Sequence, residues 1–166
     1  MEDSCCEIPH RRQVGSEIQS PEDLLCPQCR KKGRAVELVT LRHQIKPPSN
    51  LSVADGSYLF CRTSTCPVVY FSNKGNRVFE KKDVRYPVGL KETKGPHDVC
   101  YCFGFTEEMI RGEVEKFGKT GIPLKIAAEV KAGNCACEVK NPQGHCCLGN
   151  VQEIIQTAQK QKKVIK

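Results

Sequence analysis

Apolar and polar positions change their rhythm twice along the 166-residue chain. Residues 1–20 are polar and aperiodic, carry Pro9 and the charged run His10-Arg11-Arg12, and predict a flexible tail. Short β-type runs follow. Val36-Glu37-Leu38-Val39-Thr40-Leu41 alternates in part and predicts a strand, broken by Pro47-Pro48-Ser49-Asn50. Tyr58-Leu59-Phe60 reads as a second strand. Val68-Val69-Tyr70-Phe71, the turn Asn73-Lys74-Gly75-Asn76 and Val78-Phe79 predict a hairpin. The polar stretch Lys91 to Asp98, with Gly95-Pro96, predicts a boundary.

Beyond it the period becomes helical. Thr106 is a predicted N-cap with Glu107 and Glu108 in the first turn, where carboxylates suit the positive end of the helix dipole. Ile110, Val114 and Phe117 recur at helical spacing up to Gly118. A second helix is predicted from Ile122-Pro123 through Leu124, Ile126, Ala127 and Val130 to Gly133. A third begins near Cys147 or Asn150, buries Val151, Ile154, Ile155 and Ala158, and ends in the cationic run Lys160 to Lys163. The expected fold class is α+β: a tail (1–20), a small β-rich module (21–92) and a small helical module (97–160).

Cysteine usage gives these modules their chemistry. Hydrophobic residues make up 39% of the chain, aromatics 6%, and there is no Trp, so two small cores would be thin. Twelve cysteines are available to supplement them. Cys26-Pro27-Gln28-Cys29, with Gly33 at hand to reverse the chain, reads as a zinc knuckle, and Cys61 and Cys66 form its partner. A C-x₂-C and a C-x₄-C suit a closed Cys₄ zinc tetrahedron, and no βαβ context supports a redox CxxC instead. Six more cysteines lie between Cys100 and Cys147, on loops at the ends of the predicted helices. Such a set suits a [2Fe–2S] cluster, which needs four converging thiolates. Spacing alone does not separate Cys137 from Cys135, or Cys147 from Cys146. His145 is set aside because Rieske-type centres use two histidines on one iron. His43 and His97 are expected to be a surface and a linker histidine. The vicinal pair Cys5-Cys6 makes a poor tetrahedral site.

The N-terminus has neither a basic n-region nor an apolar h-region, and no apolar run reaches membrane-spanning length. The reducing cytoplasm is therefore the expected compartment, where close cysteine pairs favour metal over disulfides. The formal charge of +7 suggests an acidic partner. Counting eight thiolates, one Zn²⁺ and an oxidised cluster core reduces it to about +3, and no nucleic-acid partner is expected.

Three patterns occur together: Cys-Tyr-Cys-Phe-Gly-Phe-Thr from Cys100, Cys-x₃-Asn-Pro-x-Gly-x-Cys-Cys from Cys137 to Cys147, and the Cys26/Cys29/Cys61/Cys66 quartet with Cys66-Pro-Val-Val-Tyr-Phe. Over roughly residues 24–155 the chain resembles the N-terminal portion of CopZ-type copper chaperones, which carries one zinc and one [2Fe–2S] cluster. Its helical half is also similar to bacterioferritin-associated ferredoxin (BFD-like) domains. The resemblance implies cluster ligands Cys100, Cys102, Cys137 and Cys147. Full-length chaperones of this type continue into a heavy-metal-associated domain whose CxxC binds Cu(I). Here the C-x₂-C is Cys26-Cys29, already claimed by zinc, so delivery through that kind of site is not expected.

No HExxH, P-loop or GxSxG is present, so a non-enzymatic protein is expected. The leading expectation is a zinc and [2Fe–2S] protein for copper handling or electron transfer, supplying electrons that keep copper as Cu(I) and working with a metal-handling or redox protein. The alternatives are a cluster-containing sensor or zinc-ribbon nucleic-acid binder, and an accessory electron-transfer subunit of an oxidoreductase. Cys135 and Cys146, with Cys5-Cys6, remain as soft donors for Cu(I), against the plainer role of small buried hydrophobes. Because the ligand sets are separate, loss of zinc is expected to leave the cluster largely in place.

Overall fold

The computed structural model describes residues 24–73 and 76–164. The predicted tail and Cys5-Cys6 lie outside them. Strands β1 (Arg34–Val36), β2 (Tyr58–Phe60), β3 (Val68–Ser72) and β4 (Val78–Glu80) form an antiparallel sheet in the order β1-β2-β3-β4. The Val68 and Val78 hairpin forms as its pattern predicts, with a bulge between Val68 and Tyr70. All of β3 is buried because both faces of the sheet are covered. On one face Leu59 and Phe71, cross-strand partners, pack with Cys26, Cys61, Cys66 and Val68. On the other, the pair Phe60 and Tyr70 packs with Leu41, Ile45 and Val84.

Leu41 and Ile45 reach that second face from a helix, which corrects the strand expected over 36–41. Only Val36 belongs to β1, and Leu38–Gln44 is helix α1. Its β-type residues mislead because propensity is weak beside packing. Leu38 and Leu41, three apart on one helical face, and Ile45, the extended residue that ends the helix, lie against the core.

The helical half surrounds a second core. Short strands β5 (Asp98–Cys100) and β6 (Phe105–Thr106) lead into α2 (Glu107–Phe117), α3 (Ile122–Lys131), the single turn α4 (Cys137–Lys140) and α5 (Leu148–Val164). Thr106 caps α2 by accepting the Met109 N–H, and Gly118 (φ 76°) ends it in the left-handed region. Ile110, Val114, Ile122, Ile126, Val151, Ile155 and Ala158 meet in the core as their periodicity predicts, and Ile154 packs at its edge. Two residues of the predicted apolar stripes stay outside. Leu124 is 77% exposed, and Phe117, in the last turn before the chain leaves at Gly118, is 63% exposed under the Lys116 ammonium. Helix α4 was not expected; a four-residue helix carries no readable period.

The halves are closely joined. A Cβ on Gly89 would lie 2.2 Å from the Asp98 carbonyl oxygen, so only glycine permits this approach of the 3₁₀ turn Gly89–Lys91 to β5. The Gly89 N–H donates to the Tyr101 hydroxyl at 2.8 Å. Helix α4 packs against α1. No helix among the described residues is long and apolar enough to cross a membrane.

Candidate metal centre

The first knuckle is a tight reversal. Cys26 N–H donates to Lys31 C=O, Arg30 N–H donates to Cys26 C=O, and Leu25 bridges Lys32. The left-handed residue that turns the chain is Arg30 (φ 56°), not Gly33. Gly33 serves packing instead: a Cβ there would lie 2.6 Å from the Phe71 ring and 2.8 Å from Leu59 Cβ. The second knuckle hangs on β2 and β3. Cys61 N–H donates to Val69 C=O, and Cys66 N–H donates to Thr63 C=O.

These turns bring four sulfurs, from Cys26, Cys29, Cys61 and Cys66, within 4.8 Å of one another. Cys26 and Cys66 are 3.9 Å apart, Cys29 and Cys61 3.6 Å. A tetrahedron with Zn–S bonds of 2.3 Å has an edge of about 3.8 Å, so the quartet fits zinc. Burial pushes the Cys26 thiol up to about 12 and raises Cys66 as well. Burial also opposes charge on Cys29, but the Thr63 hydroxyl, the Lys31 N–H and the neighbouring thiols bring it down to about 6. Such a set ionises together only around a cation, so metal binding releases protons.

Lys91 supplies a second fit to that charge. It is 2% exposed, and its ammonium donates to Thr63 C=O at 2.8 Å and Cys66 C=O at 3.1 Å. It forms no ion pair with a carboxylate among the described residues. A buried ammonium needs a counter-charge, and Zn²⁺ with four thiolates carries −2. Lys91→Met is therefore expected to lower zinc affinity ~10–100-fold, the usual cost of losing an outer-shell partner. Competition against a chromogenic chelator measures it, and unchanged affinity would refute the role. Sequence reasoning missed Lys91 because it sits in a polar, charged stretch that reads as linker.

The second set is arranged differently. Cys100 ends β5 and is buried; Cys102 follows in the turn closed by Gly104 (φ 70°). Cys137 opens α4, and buried Cys147 immediately precedes α5. Cys102 and Cys137 sulfurs are 3.7 Å apart, and the Ala136 N–H donates to Cys102 at 3.4 Å. The neighbouring Cys147 thiol, against burial, draws Cys100 down to about 7, while the Cys100 thiol and burial raise Cys147. Burial, then the charge on Cys102, raises Cys137. Cys135 and Cys146 are half-buried beside these residues, close enough for their charges to raise Cys137. The structure thus brings the sulfurs of Cys26, Cys29, Cys61 and Cys66 together as a single knot, and from the second set it places those of Cys102 and Cys137 in contact.

The histidines stand apart. His43 is exposed, its Nδ1 2.9 Å from Val39 C=O; His97 contacts the Glu108 carboxylate. His145 Nδ1 lies 2.9 Å from Cys146 C=O, and burial, with Arg34 and Arg62 nearby, disfavours its protonation.

Comparison with known proteins agrees with the four-cysteine zinc knot. Residues 23–85 match the CopZ-type zinc binding domain. The copper chaperone CopZ of Archaeoglobus fulgidus is 34% identical over 131 residues, covering 78% of this chain and 60% of that protein. The chain thus spans about three-fifths of the curated relative it matches. The X-ray structure of the Archaeoglobus fulgidus CopZ N-terminal domain superposes with a TM-score of 0.64 at 35% identity, covering 78% of this chain and 96% of that one.

Proposed function

We propose that this chain, which belongs to the family of CopZ N-terminal domains, is a non-enzymatic metal-handling protein that couples a structural zinc site to a [2Fe–2S] centre serving copper. Zinc is held by Cys26, Cys29, Cys61 and Cys66 in the module 21–92, and the cluster by Cys100, Cys102, Cys137 and Cys147 in the module 97–160. The observation that supports the cluster assignment is the contact of the Cys102 and Cys137 sulfurs at 3.7 Å, with buried Cys100 and Cys147 at the ends of β5 and α5 beside them. A [2Fe–2S] core takes two protein ligands on each of two irons, whereas a single ion takes one compact knot.

Such a centre supplies one electron at a time. Copper is the cargo: one electron passed to Cu(II) yields Cu(I), and a redox protein partner in the cytoplasm restores the centre. Soft thiols retain Cu(I), and Cys135 and Cys146 are the spare ones nearby. Anaerobic purification with iron, sulfide, zinc and copper analysis tests this reading. One zinc, two irons and two sulfides per chain are expected, with an EPR signal on reduction. Mixing the reduced protein with Cu(II) should then give one Cu(I) per centre reoxidised. Two zincs and no iron would overturn the cluster assignment.

A further inference from the structure

The loop carrying Cys137 and Cys147 is held from the zinc side of the molecule. Helix α4 is a single turn, so its carbonyls need partners from elsewhere. The Thr40 hydroxyl donates to Glu138 C=O at 2.7 Å. The Gln44 amide donates to Val139 C=O at 2.8 Å and Lys140 C=O at 3.2 Å. Just beyond, the Tyr70 hydroxyl donates to Pro142 C=O at 2.6 Å. All three donors are buried, Thr40 and Tyr70 completely. Gly144 leaves room for the Thr40 hydroxyl, from which a Cβ would be 2.9 Å. Asn141 closes the loop internally, donating to His145 C=O and accepting the Gln143 N–H. Tyr70 also pairs with Phe60, whose strand runs straight into Cys61.

We propose that Thr40, Gln44 and Tyr70 are positioning residues for the cluster: they fix the backbone between Cys137 and Cys147 so that both thiolates meet Cys102 and Cys100. Cluster retention therefore depends on a folded zinc module. This rests on the [2Fe–2S] assignment above. Removing one donor leaves a buried carbonyl without a partner, and the loop relaxes by opening.

The test uses the full chain loaded anaerobically with zinc, iron and sulfide, as wild type and as Thr40→Val, Thr40→Ser and Tyr70→Phe variants. Thr40→Val and Tyr70→Phe keep side-chain shape but lose the hydroxyl; Thr40→Ser keeps the donor. Iron release to a chelator is expected to be ~10–100-fold faster in Thr40→Val and Tyr70→Phe. Thr40→Ser should stay near wild type, and each variant should retain one zinc. Wild-type release rates in Thr40→Val and Tyr70→Phe would overturn the proposal. So would a Thr40→Ser variant as labile as Thr40→Val, or loss of zinc together with iron, which would make these residues props of the zinc module itself. If the wild type takes up no iron, the cluster assignment has failed, and alkylation of Cys137 and Cys147 in the zinc-loaded chain decides the positioning. Faster labelling in Thr40→Val and Tyr70→Phe supports it; equal rates overturn it.

Discussion

Replacing Cys29 or Cys66 by alanine is expected to unfold the sheet module. Structural zinc contributes an apparent ~10–16 kcal/mol in small zinc domains, against a net stability of about 5–15 kcal/mol for a typical domain. The four cysteines also form part of the packing on one sheet face, with Leu59, Val68 and Phe71. Losing one thiolate leaves three crowded thiols and an open tetrahedron, and Lys91 loses its counter-charge. Hydrogen exchange checks the outcome: amides of β2 and β3 should lose protection together with zinc. Retained protection in zinc-free protein would remove the structural role. Iron content should fall as well, because Thr40, Gln44 and Tyr70 hold the Cys137 loop. That revises the expectation, drawn from separate ligand sets, that the cluster outlasts the zinc.

Cys137→Ala is expected to abolish iron and sulfide binding, while Cys135→Ser retains both. The two residues stand two positions apart, yet Cys137 opens α4 with its sulfur 3.7 Å from that of Cys102. Cys135 precedes the helix in the loop. An iron left with one of its two thiolates leaves the cluster open to solvent and to loss. Iron and sulfide analysis, with the visible absorption of the oxidised protein, separates the two variants. A colourless Cys135→Ser variant beside an iron-loaded Cys137→Ala variant would mean that the family correspondence is two residues out of register.

Much of the architecture was legible because it is encoded over short distances. The C-x₂-C and C-x₄-C turns, the hairpin from Val68 to Phe79, the Thr106 cap and the Gly118 stop each depend on neighbouring residues, and each formed where expected. The segment from Val36 to Leu41 failed for the opposite reason. Its local preference is β, and contact with Phe60 and Tyr70, distant in the chain, settles it as helix. Read at helical period, Thr40 and Gln44 fall on one polar face, the signal that would have revealed α1 as a docking edge.

By itself, then, the sequence determined which thiols are available, in which two groups, and which local elements carry them, since ligand spacing and capping act within a few residues. Tertiary structure alone decided how the thiols pair, that Lys91 is buried at the knuckle, and that Thr40, Gln44 and Tyr70 cap a loop 72 to 98 residues further on. The physical reason is burial. A carbonyl or an ammonium declares no partner in sequence; it acquires one only when folding removes water and leaves a buried polar group that must be satisfied.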